Sequence, residues 1–308
     1  MTNRDGRLPI RFITPVAGPT FEAVLEQAQT AEAAGFDGVT FSDRPHDPIM
    51  DGWTLAAAVA ARTERVRLSH TTLNIPYRYP AVLAKEAATL DIISHGRLDL
   101  CLGAGGEANR PLYDTIGVKL ASPEDRMQGL RECIAILRGL WSNERFTYEG
   151  RIYSVDDAAG GVQPVQETIP IWLGALMPYS LRMTGRLADG FMKNRGWCEA
   201  EEFAELNDQV TDAAVKAGRY PNEIRRIING AAYVASDPDD ARARREQGTG
   251  IGGFMNAGLI GTVDEILDII RAYRHAGVDT FGIRFPAGQV VEQMKIFGAE
   301  VIPEAGKL

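Results

Sequence analysis

The sequence predicts an α/β protein of the (β/α)8 barrel class. Three observations carry that prediction. Short apolar strands alternate with helices about eight times along the chain. The first strand runs into Pro15-Val16-Ala17-Gly18-Pro19, which lacks the GxGxxG spacing that opens a doubly wound nucleotide-binding sheet. The length of 308 residues, which fits either two ordinary domains or one large α/β barrel, leaves room for all eight units.

Each element has a local reason. Residues 10–15 (Ile-Arg-Phe-Ile-Thr-Pro) form a first strand. Residues 20–34 follow as a helix, with Phe21, Val24, Leu25, Ala28 and Ala31 at 3.6-residue spacing, Thr20 as N-cap and Gly35 as stop. A second strand covers 38–42, a helix 52–61, and a third strand 66–70. Pro80 opens a helix where its missing N–H costs nothing, with Leu83, Ala87 and Leu90 on one face, and strand four is 97–102. Ser122-Pro123-Glu124-Asp125 reads as N-cap, first-turn proline and acidic first turn, ahead of Met127, Leu130, Ile134, Leu137 and Trp141.

The rhythm then pauses. Phe146-Thr147-Tyr148 and Arg151-Ile152-Tyr153 flank Glu149-Gly150 as an expected hairpin, followed by loop at 157–166. Residues 143–166 are therefore expected as a rim insertion in a single domain spanning 1–308. Strands at 169–173, 190–193 and 224–234 alternate with helices at 179–187 and 200–217. Residues 237–253 are charged, then glycine-rich, and a mobile loop is expected over about 237–258. Thr262-Val263-Asp264-Glu265 is a capping box before Ile266, Ile269, Ile270 and Tyr273; strand eight is 280–285 and a last helix begins at Val290.

Composition narrows the function classes. Lys+Arg 33 against Asp+Glu 41 leaves a charge of −8, which argues against nucleic acid. No apolar run reaches the roughly 20 residues of a membrane span, and residues 1–11 are polar, so a cytoplasmic protein is expected. Cys101, Cys133 and Cys198 are widely separated and odd in number, the pattern of buried reduced thiols. Four histidines without HxH or HExxH do not suggest a metal site, and no GxSxG is present for a hydrolytic serine.

A barrel carries its chemistry at the C-terminal ends of its strands. Asp43, Arg44 and His46 follow strand two: an acid, a permanent cation and an imidazole that could act as general acid or base. Thr71, Thr72 and Asn74 follow strand three, although threonines often merely finish a strand. Gly103-Ala104-Gly105-Gly106 follows strand four and would let backbone approach a flat or phosphorylated ligand. Glu107 comes next, a proton carrier if partly buried or a loop cap if not. Gly174 and Ala175 end strand five; Lys193 and Arg195 end strand six, and Arg284 ends strand eight. Arg195 and Arg284 are candidate clamps for phosphate or carboxylate, or surface ion pairs.

Several runs resemble the luciferase-like monooxygenase family: residues 52–68, Tyr77-Arg78-Tyr79-Pro80-Ala81-Val82-Leu83-Ala84-Lys85, Ser94-His95-Gly96-Arg97, Leu102-Gly103-Ala104-Gly105, Tyr148-Glu149-Gly150-Arg151, Pro170 to Ala175, and Ala188-Asp189-Gly190. The resemblance implies a TIM barrel with a flavin-type cofactor at its mouth, either FMN used with dioxygen or the deazaflavin F420 used for hydride transfer. It implies a non-proline cis peptide at Thr71–Thr72 behind the ring, and Asp43 beside the ring. Gly106-Glu107-Ala108 is similar to a Gly-Glu-Ala of deazaflavin sugar-phosphate dehydrogenases whose Glu donates a proton, and tips the choice towards F420. Arg44 stands where the family usually has His, so His46 becomes the substitute acid or base. The expected catalytic set is Asp43, His46 and Glu107. The expected cofactor set is Asp43, Thr71, Thr72, Asn74, Gly103, Gly105, Gly106, Gly174, Ala175 and Arg195. The expected activity is two-electron redox on a small organic substrate. An FMN monooxygenase, a non-catalytic flavin-binding barrel and a cofactor-free barrel enzyme are the alternatives, and a homodimer is left open.

Overall fold

The computed structural model describes residues 7–45, 49–247 and 257–308. It has the (β/α)8 barrel architecture. The parallel strands are β1 (Arg11–Pro15), β2 (Gly38–Phe41), β3 (Arg67–His70), β4 (Leu98–Gly103), β5 (Ile171–Ala175), β6 (Gly190–Lys193), β7 (Arg225–Val234) and β8 (Thr280–Arg284). The helices that alternate with them are α1 (Phe21–Ala33), α2 (Gly52–Ala60), α3 (Pro80–Ile93), α4 (Pro123–Ser142), α5 (Pro178–Leu187), α6 (Ala200–Lys216), α7 (Val263–His275) and α8 (Val290–Glu300). Among the described residues no helix is long and apolar enough to cross a membrane, and no His/Cys/Asp/Glu group could hold a metal ion. The three cysteines are free and buried.

The chain packs as two compact units, one of residues up to Thr40 together with those from Ala175 onward, the other Phe41–Gly174. In the first, β1 pairs in parallel with β8 through Arg11↔Thr280 and Phe12↔Phe281, and with β2 through Ile13↔Gly38. β7 pairs with β8 and β6. Its core includes Phe12, stacked 5.7 Å from Phe281 and edge-on 5.2 Å from Phe297, all at most 2% exposed. In the second unit β3 pairs with β4, and β4 with β5 through Leu100↔Ile171. A short extension, Leu73–Asn74, also lies on β4, with Asn74 opposite Gly103.

The helix ends follow the predicted chemistry. Thr20, Asp51, Ser122 and Thr262 each accept a backbone N–H three residues on, and Thr262 N–H donates to Glu265 Oε2 at 2.8 Å to complete the capping box.

Two local expectations need correction. The hairpin is Arg145–Tyr148 with Val155–Ala159, so its return strand starts later than Arg151. The N–H groups of Arg151, Ile152 and Tyr153 instead converge on the buried Glu132 carboxylate at 2.8, 2.9 and 2.7 Å, which turns that stretch away from a ladder. The stretch expected as mobile loop opens as a helix, Pro238–Gln247. Its apolar content is low, but Asp237 Oδ1 accepts the N–H groups of Asp239 and Asp240 at 2.9 Å each and caps it. Residues 248–256 lie outside the described residues.

Candidate active site

The site is built upward from the end of β2. Phe41 closes that strand and accepts the Thr71 N–H at 3.2 Å, which brings the residues after β3 beside Asp43. Asp43 is 4% exposed. Arg78 Nη1 donates to both its carboxylate oxygens at 2.9 and 3.1 Å, and the Asn74 N–H donates to Oδ2 at 2.8 Å. Burial pushes the Asp43 carboxyl above its ordinary range, against the pull of the Arg78 charge and the Asn74 N–H.

Asn74 organises the ground between Asp43 and Thr72. Its Nδ2 donates to the Asp43 carbonyl at 3.1 Å and the Thr72 carbonyl at 3.3 Å, and its Oδ1 accepts from the Tyr113 hydroxyl at 3.3 Å. The Thr71–Thr72 peptide is cis, at the position the family resemblance marks. His70, just before it, is fully buried and stacks on Trp53 at 5.1 Å. Burial and the Arg78 charge push its imidazole down to about 4, so it is a neutral ring at ordinary pH. Arg78 also lies over the Trp53 face, 5.8 Å from the centroid.

The glycines after β4 turn out to serve the protein's own packing first. A Cβ on Gly103 would stand 2.6 Å from Thr72 Oγ1, and one on Gly105 (φ +77°) would stand 2.7 Å from the Tyr113 hydroxyl. At Gly106 a Cβ would meet nothing within 4 Å, so that residue borders open space.

Glu107 differs from its expected role. Its side chain is 50% exposed and bridges two cations, Arg110 at 2.7 Å and Arg126 at 3.1 Å. Hydrogen bonds from Arg110 and Arg126 hold its carboxyl down to about 2. A group ionised through the whole working range is a poor proton donor; in this structure Glu107 is a clasp between the loop and α4. His46 lies outside the described residues.

The remaining candidates are Gly174, Ala175, Arg195, Lys193 and Arg284. Gly174 is half-buried near the end of β5. Ala175 is buried in the other packing unit, where its carbonyl accepts the Asn194 N–H at 2.9 Å. Arg195 is exposed with φ +66°. Lys193, at the end of β6, is buried, with Nζ 3.4 Å from the Trp197 carbonyl and 3.9 Å from Glu202. Arg284 is exposed.

Arg78 and Tyr113 are members of this site that strand-end reasoning missed. Neither stands directly at a strand end. Arg78 precedes the helix-opening Pro80, and its 35-residue separation from Asp43 leaves no local signal. Tyr113 sits on a six-residue helix, Arg110–Thr115, inside the loop after β4.

Comparison with known proteins identifies relatives of the chain. Residues 8–256 match the model of the luciferase-like monooxygenase family. The F420-dependent glucose-6-phosphate dehydrogenase of Microbacterium testaceum is 33% identical over 245 residues, covering 76% of this chain and 71% of that protein. An F420-dependent secondary alcohol dehydrogenase, solved with an F420-acetone adduct, superimposes with a TM-score of 0.82 at 21% identity, covering 97% of this chain and 99% of that one. The monooxygenase RslO1 of Streptomyces bottropensis superimposes with a TM-score of 0.79 at 22% identity, covering 96% and 99%. At those identities the two structures establish shared fold.

Proposed function

The chain belongs to the luciferase-like monooxygenase family and is an oxidoreductase, and from that premise we propose that it is an F420-dependent dehydrogenase or reductase of a small organic substrate. The observation that carries this reading is the 33% identity to F420-dependent glucose-6-phosphate dehydrogenases through three quarters of the chain.

The residues around Asp43 suit a flat deazaflavin. Gly106 borders open space, the Thr71–Thr72 pair is half-buried at a strand end, and a dense polar set lies between them. When bound, F420 supplies a ring that carries a hydride, and the protein supplies binding, orientation and control of protons. In this reading Thr71, Thr72 and Gly106 border the cofactor. Asp43 is the acid beside it: burial keeps its carboxyl closer to the working range than an exposed aspartate, while Arg78 and Asn74 hold it still. Glu107 stays ionised and holds the loop. Gly174 is assigned to the cofactor's periphery, and His46 is kept as an alternative proton carrier.

Fluorescence titration with F420 and with FMN tests the reading. Micromolar F420 binding, weaker FMN binding, and F420 reduction driven by glucose 6-phosphate or a secondary alcohol are expected. A preference for FMN, with oxygen consumed by the FMN-reduced protein, would establish the monooxygenase alternative instead. Binding of F420 without turnover, and without any effect of Asp43→Asn, would indicate a non-catalytic carrier.

A further inference from the structure

The loop between β4 and α4 spans residues 104–122, and Tyr113 is at 0% exposure in it. The Tyr113 ring lies 5.3 Å from the Tyr77 ring, and its hydroxyl donates to Asn74 Oδ1 at 3.3 Å. The carbonyls of Asp43 and Thr72 only accept, so Nδ2 of the Asn74 carboxamide faces them and Oδ1 is left to take the Tyr113 hydroxyl proton. Gly105 lies so close to the same hydroxyl that no side chain fits between them. One oxygen atom therefore touches the loop, the strand-three extension and, through Asn74, both Asp43 and Thr72.

We propose that Tyr113 is a positioning residue whose hydroxyl, by holding Asn74, couples the position of the 104–122 loop to the placement of Asp43 and of the Thr72 carbonyl. The proposal rests on the cofactor reading for its consequence in binding, and on the geometry alone for the coupling. A tyrosine that merely filled space would need its ring and not its oxygen. Here the ring packs on Tyr77, and the oxygen links the loop to Asn74.

The test is Tyr113→Phe in the full chain, with Asn74→Ala beside it. The phenylalanine variant keeps the ring and should melt within a few degrees of wild type. Two changes are expected. F420 affinity, read by fluorescence, falls about tenfold, the size of one hydrogen bond in a polar network. Trypsin cuts the cofactor-free protein at Lys119 several times faster, because the loop has lost its tether. Asn74→Ala should speed the same cut, and the double variant should be no worse than the worse single, since both remove one link.

Wild-type cutting rates in both single variants would overturn the coupling, as would strictly additive losses in the double variant. If wild type binds neither F420 nor FMN, the cofactor reading falls by itself, and the cutting rates still decide the coupling. If Tyr113→Phe does not fold, Asn74→Ala decides it alone.

Discussion

Arg78 and Asp43 form a buried ion pair, one guanidinium nitrogen reaching both carboxylate oxygens at 2.9 and 3.1 Å, with side-chain exposures of 16% and 3%. The pair fixes the acid of the proposed site, and its removal leaves a buried carboxylate facing only one backbone N–H. Arg78→Met is expected to cost about 3–5 kcal/mol of stability in urea unfolding at pH 7, the penalty of an uncompensated buried charge. The sign with pH follows from burial. Asp43 already has a raised carboxyl, and losing Arg78 raises it further. A raised group is most favourable when protonated, so the cost should be smallest below the ordinary value of 3.8 and grow as pH rises through the raised one. Asp43→Asn in the same background should recover part of the loss, since a neutral amide needs no counter-ion.

Glu107→Gln separates the two roles available to that residue. A lost general acid lowers kcat by about 10²–10⁴. A carboxyl held down to about 2 by Arg110 and Arg126 does not serve as that acid. The expected result is a fall in kcat of under about tenfold, with no change in the limbs of the kcat/KM profile between about pH 5 and 9. Steady-state kinetics across that range check it.

Gly103→Ala probes the contact between the β4 loop and the Thr71–Thr72 turn. The added methyl would stand 2.6 Å from Thr72 Oγ1, so Thr72 must move. Overpacking of this kind costs about 1–3 kcal/mol. A weaker F420 titration should accompany the stability loss, because Thr72 belongs to the proposed ring site. Gly106→Ala is the control: its Cβ meets nothing within 4 Å, so the apo protein should keep wild-type stability.

Glu132 tests the rim hairpin. Burial would raise its carboxyl, but Gln128 and the N–H groups of Tyr153, Ile152 and Arg151 outweigh that and hold it below its ordinary 4.5. A depressed acid stabilises the fold above its ordinary value, and that contribution disappears as pH falls through the folded one. Glu132→Gln should therefore cost about 2 kcal/mol at pH 7, with the gap to wild type closing below about pH 4. Urea midpoints at several pH values check it.

The eight strands and their helices were legible because their causes are local. Apolar spacing, a threonine or serine before an acidic turn, and a proline at a helix start act within a few residues, and Thr20, Ser122 and Thr262 cap the helices they were expected to cap. The position of Asp43, Thr71, Thr72 and Asn74 at strand ends was legible for the same reason. The partners of those residues were not. Arg78 reaches Asp43 across 35 residues and Tyr113 reaches Asn74 across 39, and no short-range pattern encodes either pairing. Charge state behaved likewise. Glu107 reads as a proton carrier until Arg126, from the following helix, closes on it, and the glycines of 103–106 read as a ligand cradle until Thr72 and Tyr113 occupy the space beside two of them. Local order depends on neighbours in the chain, whereas protonation, side-chain orientation and free space depend on neighbours in three dimensions, which only folding supplies.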